Sequence, residues 1–82
     1  MSAGVREVDA RGKRCPLPVI MLAGAARGAD PGAEFRVLST DPAAGPDIAA
    51  WCRMRGHVLA DQYPEGDGDV LVSIVRLGEA AS

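Results

Sequence analysis

Aromatic side chains are scarce in this chain of 82 residues: Phe35, Trp51 and Tyr63 make up 4% of it. A core has to be built from aliphatic residues instead. A hydrophobic content of 48% with 24% charged residues allows that and excludes a disordered chain. Apolar runs are short, and none approaches the roughly 18–20 residues needed to span a bilayer. The opening "MSAGVREVDARGK" lacks the apolar stretch of a secretory signal. These two absences lead us to expect a cytoplasmic protein with no membrane partner. Excess positive charge is also missing, since the formal net charge is −2. That argues against direct binding of nucleic acid through phosphate contacts.

Cysteine and histidine are equally sparse. Cys15 and Cys52 are too few for a disulfide scaffold, neither belongs to a CxxC pair, and with His57 they form no zinc set. In a reducing compartment, one or both should be free thiols. No metal site is expected.

What is present is clear punctuation. "VREVDA" (5–10) reads as a first strand and "RGKR" as a loop. From Pro16 the apolar positions Val19, Leu22, Ala23 and Ala26 follow helical spacing, until Gly28 and "DPG" (30–32) turn the chain. "EFRVLS" (34–39) is a second strand. A second helix follows "TDPAAGPD" and runs to about Arg55, with Ile48, Trp51 and Cys52 on one face and Gly56 closing it. "HVLADQY" (57–63) and "VLVSIVRL" (70–77) read as third and fourth strands around the turn "PEGDGD". This βαβαββ order predicts an α/β two-layer sandwich: a four-stranded mixed sheet with both helices on one face. Arg36, Asp61 and Ser73 are expected on the other face. The whole of 1–82 forms one domain, with 1–4 and 78–82 flexible.

The stretch "RCPLPVI" (14–20) carries the chemistry. If the first helix begins at Pro16, Cys15 is its N-cap, and Pro16 and Pro18 fall where a helix leaves its N–H groups unpaired. Leu17 N–H is then the donor left for the cysteine sulfur. The prolines stiffen the backbone that presents the thiol. The helix N-terminus and the cations Arg11, Lys13 and Arg14 favour an anion there, and such surroundings promote the reactive thiolate. Lys13 is the single lysine of the chain. Cysteine is a poor cap beside Ser, Thr, Asp or Asn, which sets a plain capping role second.

These residues resemble a known family. "DARGKRCPLPVIML" followed by "PGAEFRVLSTDPAAGPDIAAWCRMRGH" is similar to the TusA (SirA-like) sulfur-carrier family, whose signature is a CPxP motif at a helix start after a short strand. The resemblance covers about Val8 to Gln62. It implies that Cys15 bears sulfane sulfur as a persulfide. The sulfur would come from a cysteine desulfurase or rhodanese-type donor and pass to an acceptor protein in tRNA thiolation, molybdenum-cofactor maturation or sulfur oxidation. Arg14, Lys13, Pro16, Leu17 and Pro18 are the supporting residues. No cofactor is implied, because the sulfur is the cargo. The chain would act as a persulfide relay rather than as a stand-alone enzyme. Leu17 departs from the tRNA-thiolation members, which tend to have glutamate there.

The remaining candidates read as structural. Cys52 lies where a core cysteine would sit, and a disulfide with Cys15 would require Cα atoms within about 7 Å. Asp41 is expected to cap the second helix, and Asp47 to lie in or near its first turn. His57, the single histidine, invites a general-base role, but a strand-edge position is favoured. "EGDGD" lacks the full spacing of a calcium loop. The alternative function is a redox-sensing or regulatory binding module.

Overall fold

Strand β1, Arg6–Ala10, alternates so that Val8 and Ala10 are buried while Glu7 and Asp9 face solvent. The computed structural model describes residues 4–78. Helix α1 (Leu17–Ala26) follows, then β2 (Glu34–Ser39), helix α2 (Ala44–Arg55), β3 (Val58–Glu65) and β4 (Val70–Arg76). The sheet order is β1-β2-β4-β3. β1 pairs parallel with β2, and β4 lies antiparallel to both β2 and β3. The expected four-stranded mixed sheet with two helices on one face is the fold observed.

The pairing fixes where the helices end. β2 and β3 both run against β4, so they run parallel to each other. Each helix connects two parallel strands and travels back along the sheet between them. The N-termini of α1 and α2 therefore lie together, beyond the carboxyl ends of β1 and β2. The register also brings Arg6 opposite Phe35 and Arg76 opposite Glu34, so β1 begins and β4 ends at the other pole.

The core lies between helices and sheet. Leu22 of α1, Ile48 and Cys52 of α2, Phe35 and Val37 of β2 and Val75 of β4 are all buried in one cluster, with Val19, Trp51 and Leu59 packed against it. Each such side chain contributes about 1.5–3 kcal/mol by leaving water. α2 stops where Gly56 adopts φ 77°, a left-handed conformation that costs glycine little. Gly45 in its first turn is buried against Leu71; a Cβ there would come within 2.8 Å of that side chain.

The outer face of the sheet is ion-paired. Arg36 bonds Glu65 at 2.6 Å and sits 3.9 Å from Glu7 on the other side, and Arg76 lies 3.8 Å from Glu34. Arg36 and the exposed Asp61 thus fulfil their expected role. Ser73 does not. It is fully buried and pairs in register with Val37 on the helix side, where Gln62 Nε2 donates to its Oγ at 3.0 Å. Gln62, directly across in β3, makes an inward serine tolerable.

β3 runs two residues beyond its expected end, through Pro64. It is an edge strand, so a residue without an N–H breaks no ladder there. A register shift between Leu59 and Asp61 leaves Ala60 as an extra residue. The expectation of flexible ends at 1–4 and 78–82 lies mostly outside the described residues. Gly78 is described and is tied down: its N–H donates to His57 Nδ1 at 3.1 Å.

Candidate functional site

The loop joining β1 to α1 carries Cys15 to the pole where the two helices begin. α1 starts at Leu17, one residue later than expected, and Pro16 is its N-cap. Pro16 carbonyl accepts the first helical N–H, from Ile20, at 3.0 Å. Leu17 N–H is not free to reach the cysteine sulfur, because it closes a turn onto the Arg14 carbonyl at 2.8 Å. Cys15 therefore precedes the cap instead of forming it. The Cys15–Pro16 peptide is cis. Pro18 is buried within the first turn, where the absence of an N–H still costs no helical bond. Leu17 and Ile20 project outward, 45% and 57% exposed, so the helix presents an apolar surface beside the thiol.

Two carboxylates from the β2–α2 connection hold this loop. Asp41 Oδ2 accepts the Cys15 backbone N–H at 2.8 Å, and Asp41 Oδ1 accepts the Ala43 N–H at 2.9 Å. Asp41 was expected to cap α2. Instead Ala43 occupies the cap position with no side-chain bond, and Asp41 turns the chain into α2 while reaching across to Cys15. Asp47, in the first turn of α2, places Oδ2 against the Cys15 thiol and accepts its hydrogen bond. Neither aspartate was a sequence-based site candidate. Their proximity to Cys15 follows from the chain direction of the sheet, which gathers both helix starts.

The cations are arranged differently from expectation. Arg11 is bound in a two-pronged pair to Asp9, at 2.8 and 2.7 Å. That contact holds the Asp9 carboxyl down at about 2 and engages Arg11 away from the sulfur. Lys13 and Arg14 are exposed and form no ion pair among the described residues. The only charged group in hydrogen-bond contact with the sulfur, among the described residues, is thus Asp47.

Cys15 is half-buried and carries a free thiol. Beside it, Pro16, Val19, Asp47, Ala50, Trp51 and Met54 line a shallow, largely apolar cleft of about 200 Å³ between the helices. Cys52 is also a free thiol but is 2% exposed and packed in the core, where burial pushes its pKa up. His57 sits past the far end of α2. Its ring packs at a tilt of 39° against Trp51, with centroids 4.6 Å apart, and burial followed by the nearby Arg55 lowers its pKa. A wider cleft of about 1020 Å³ opens at that end, with Arg53, Arg55 and His57 on its walls, but it lacks a thiol. Among the described residues, no group of three His, Cys, Asp or Glu side chains is placed to hold a metal.

Cys15 thus lies in a CPxP turn at the pole where the two helices begin. The family model described as sulfurtransferase TusA matches residues 6–76. The chain belongs to the TusA family. The sulfur carrier protein TusA of Pseudomonas paraeruginosa is 41% identical over 58 residues, covering 71% of this chain and 73% of that one. A relative from Aquifex aeolicus is 36% identical over 75 residues; these are 92% of this chain but 38% of that protein, so the chain spans well under half of its length. The crystal structure of a SirA-like protein from Desulfitobacterium hafniense superimposes with a TM-score of 0.79, covering 92% of this chain and 100% of the other. At 24% identity, that likeness speaks to the TusA fold alone. No helix among the described residues is long and apolar enough to cross a membrane.

Proposed function

We propose that this TusA-family chain is a cytoplasmic persulfide relay with Cys15 as the sulfur-bearing residue. The Cys15 thiolate attacks the outer sulfur of a donor persulfide on a cysteine desulfurase or rhodanese-type protein. A new Cys15 S–S bond forms as the donor S–S bond breaks, and the donor cysteine leaves as a thiolate. A cysteine of an acceptor protein then attacks the terminal sulfur of Cys15 persulfide and regenerates the Cys15 thiolate. Each step is thiol exchange, with no net change in oxidation state and no cofactor.

The observation that carries this reading is the placement of Cys15: a free, half-buried thiol at the tip of the CPxP turn, flanked by the outward-facing Leu17 and Ile20. The buried Cys52 is no comparable nucleophile. Leu17 and Ile20 favour partners that dock through an apolar surface. Lys13 and Arg14, exposed in the same loop, favour an acidic rim around it.

The test is intact mass after incubation with a cysteine desulfurase and cysteine. A carrier gains about 32 Da, lost on reduction and absent from Cys15→Ser. Oxygen adducts or a disulfide in place of sulfur would instead mark a redox-sensing module and overturn the proposal.

A further inference from the structure

The contact between Cys15 and Asp47 is not what an activated thiol would be expected to have. The amide ends of α1 and α2 and the cations of the loop all favour negative charge at this pole. Yet the side chain bonded to the sulfur is a carboxylate. A thiol donating to a carboxylate is held in its protonated form, for two reasons. The hydrogen bond exists only while the proton is present, and ionisation would set two negative charges in contact.

We propose that Asp47 is a positioning residue for the Cys15 sulfur, docking it as a protonated thiol in the unloaded carrier and repelling it once it carries an anionic outer sulfur. The inference rests on Cys15 being the sulfur-bearing residue. An ionised persulfide has no proton to donate to Asp47. Loading thus converts an attractive contact into a repulsive one and turns the cargo outward, toward a partner docked on Leu17 and Ile20. The empty carrier keeps its sulfur against α2 and reacts slowly with stray electrophiles.

The other charged groups around the sulfur do not cancel this effect. Asp41, from the β2–α2 connection, adds a second negative charge, bonded to the backbone N–H of Cys15 itself. Lys13 and Arg14 belong to the cysteine's own loop, but both are exposed, so solvent and salt weaken their fields. Arg11 is neutralised by Asp9. Asp47 alone among these acts through a direct hydrogen bond to the reacting atom.

The experiment measures alkylation of unloaded, full-length protein by iodoacetamide, a neutral probe, across a pH series. The Cys15 peptide is quantified by mass. Asp47→Asn is expected to alkylate about tenfold faster than wild type near neutrality, with its profile displaced to lower pH and the same plateau at high pH. Asp47→Glu, which keeps the charge, is expected to follow wild type. An Asn variant that is unchanged or slower would overturn the proposal. No sulfur donor enters this assay, so its outcome is read separately from the loading test.

Discussion

Asp41 is the fastening between the two helix starts, and replacing it by asparagine tests that directly. Its two oxygens are committed to different N–H groups: Cys15 at 2.8 Å and Ala43 at 2.9 Å. Asparagine keeps one acceptor and sets an NH₂ group against the other donor. One bond to a charged acceptor is lost, worth about 1.5–3 kcal/mol when fully sheltered. Asp41 is half-buried, so water partly replaces the missing acceptor, and about 1–2 kcal/mol is the appropriate figure. For a domain of this size each kcal/mol moves the melting midpoint by roughly 4–8 °C. Asp41→Asn should therefore melt about 4–16 °C lower by circular dichroism, with faster hydrogen exchange at the amide of Cys15 or Ala43. A midpoint within about 2 °C of wild type, with unchanged exchange at both amides, would refute the reasoning.

Two further outcomes follow from the interior of the molecule. His57 has a folded-state pKa below its ordinary 6.5, so the unfolded chain binds more protons just below that value. Its neutral ring contributes stability above pH 6.5 that is lost as pH falls through the folded pKa, and His57→Gln should flatten this part of the curve of melting temperature against pH. A variant curve with the same slope as wild type would remove His57 as the cause. Cys52 should resist iodoacetamide in the native protein by a factor of at least about ten relative to Cys15, and should label fully only in denaturant. Comparable native rates would mean that α2 opens.

Most of the fold could be read from the chain because its signals are local. The end of α2 at Arg55 was marked by Gly56, and β4 by an apolar run bounded by turn residues. The errors arise where a distant group decides. The polarity of Ser73 suggested an outward position, but Gln62 on the neighbouring strand satisfies it within the core. Capping rules weigh side-chain acceptors and so put the start of α1 one residue early. Here a backbone bond from Leu17 to Arg14 takes up the N–H that Cys15 would have received. Cys15 stands out as a candidate from its motif alone. Its contact with Asp47 spans 32 positions, and no window along the sequence joins them. Only the shared direction of β1, β2 and β3 brings these two residues together.

The strand register that places Arg6 and Arg76 at one end of the sheet has a practical corollary. Whatever is joined before β1 or after β4, whether an affinity handle, a tether to a surface or a neighbouring module in a longer polypeptide, is attached at the pole opposite the thiol. Such appendages begin at the far end of the sheet from Cys15, so this unit can be built into larger assemblies without crowding that thiol.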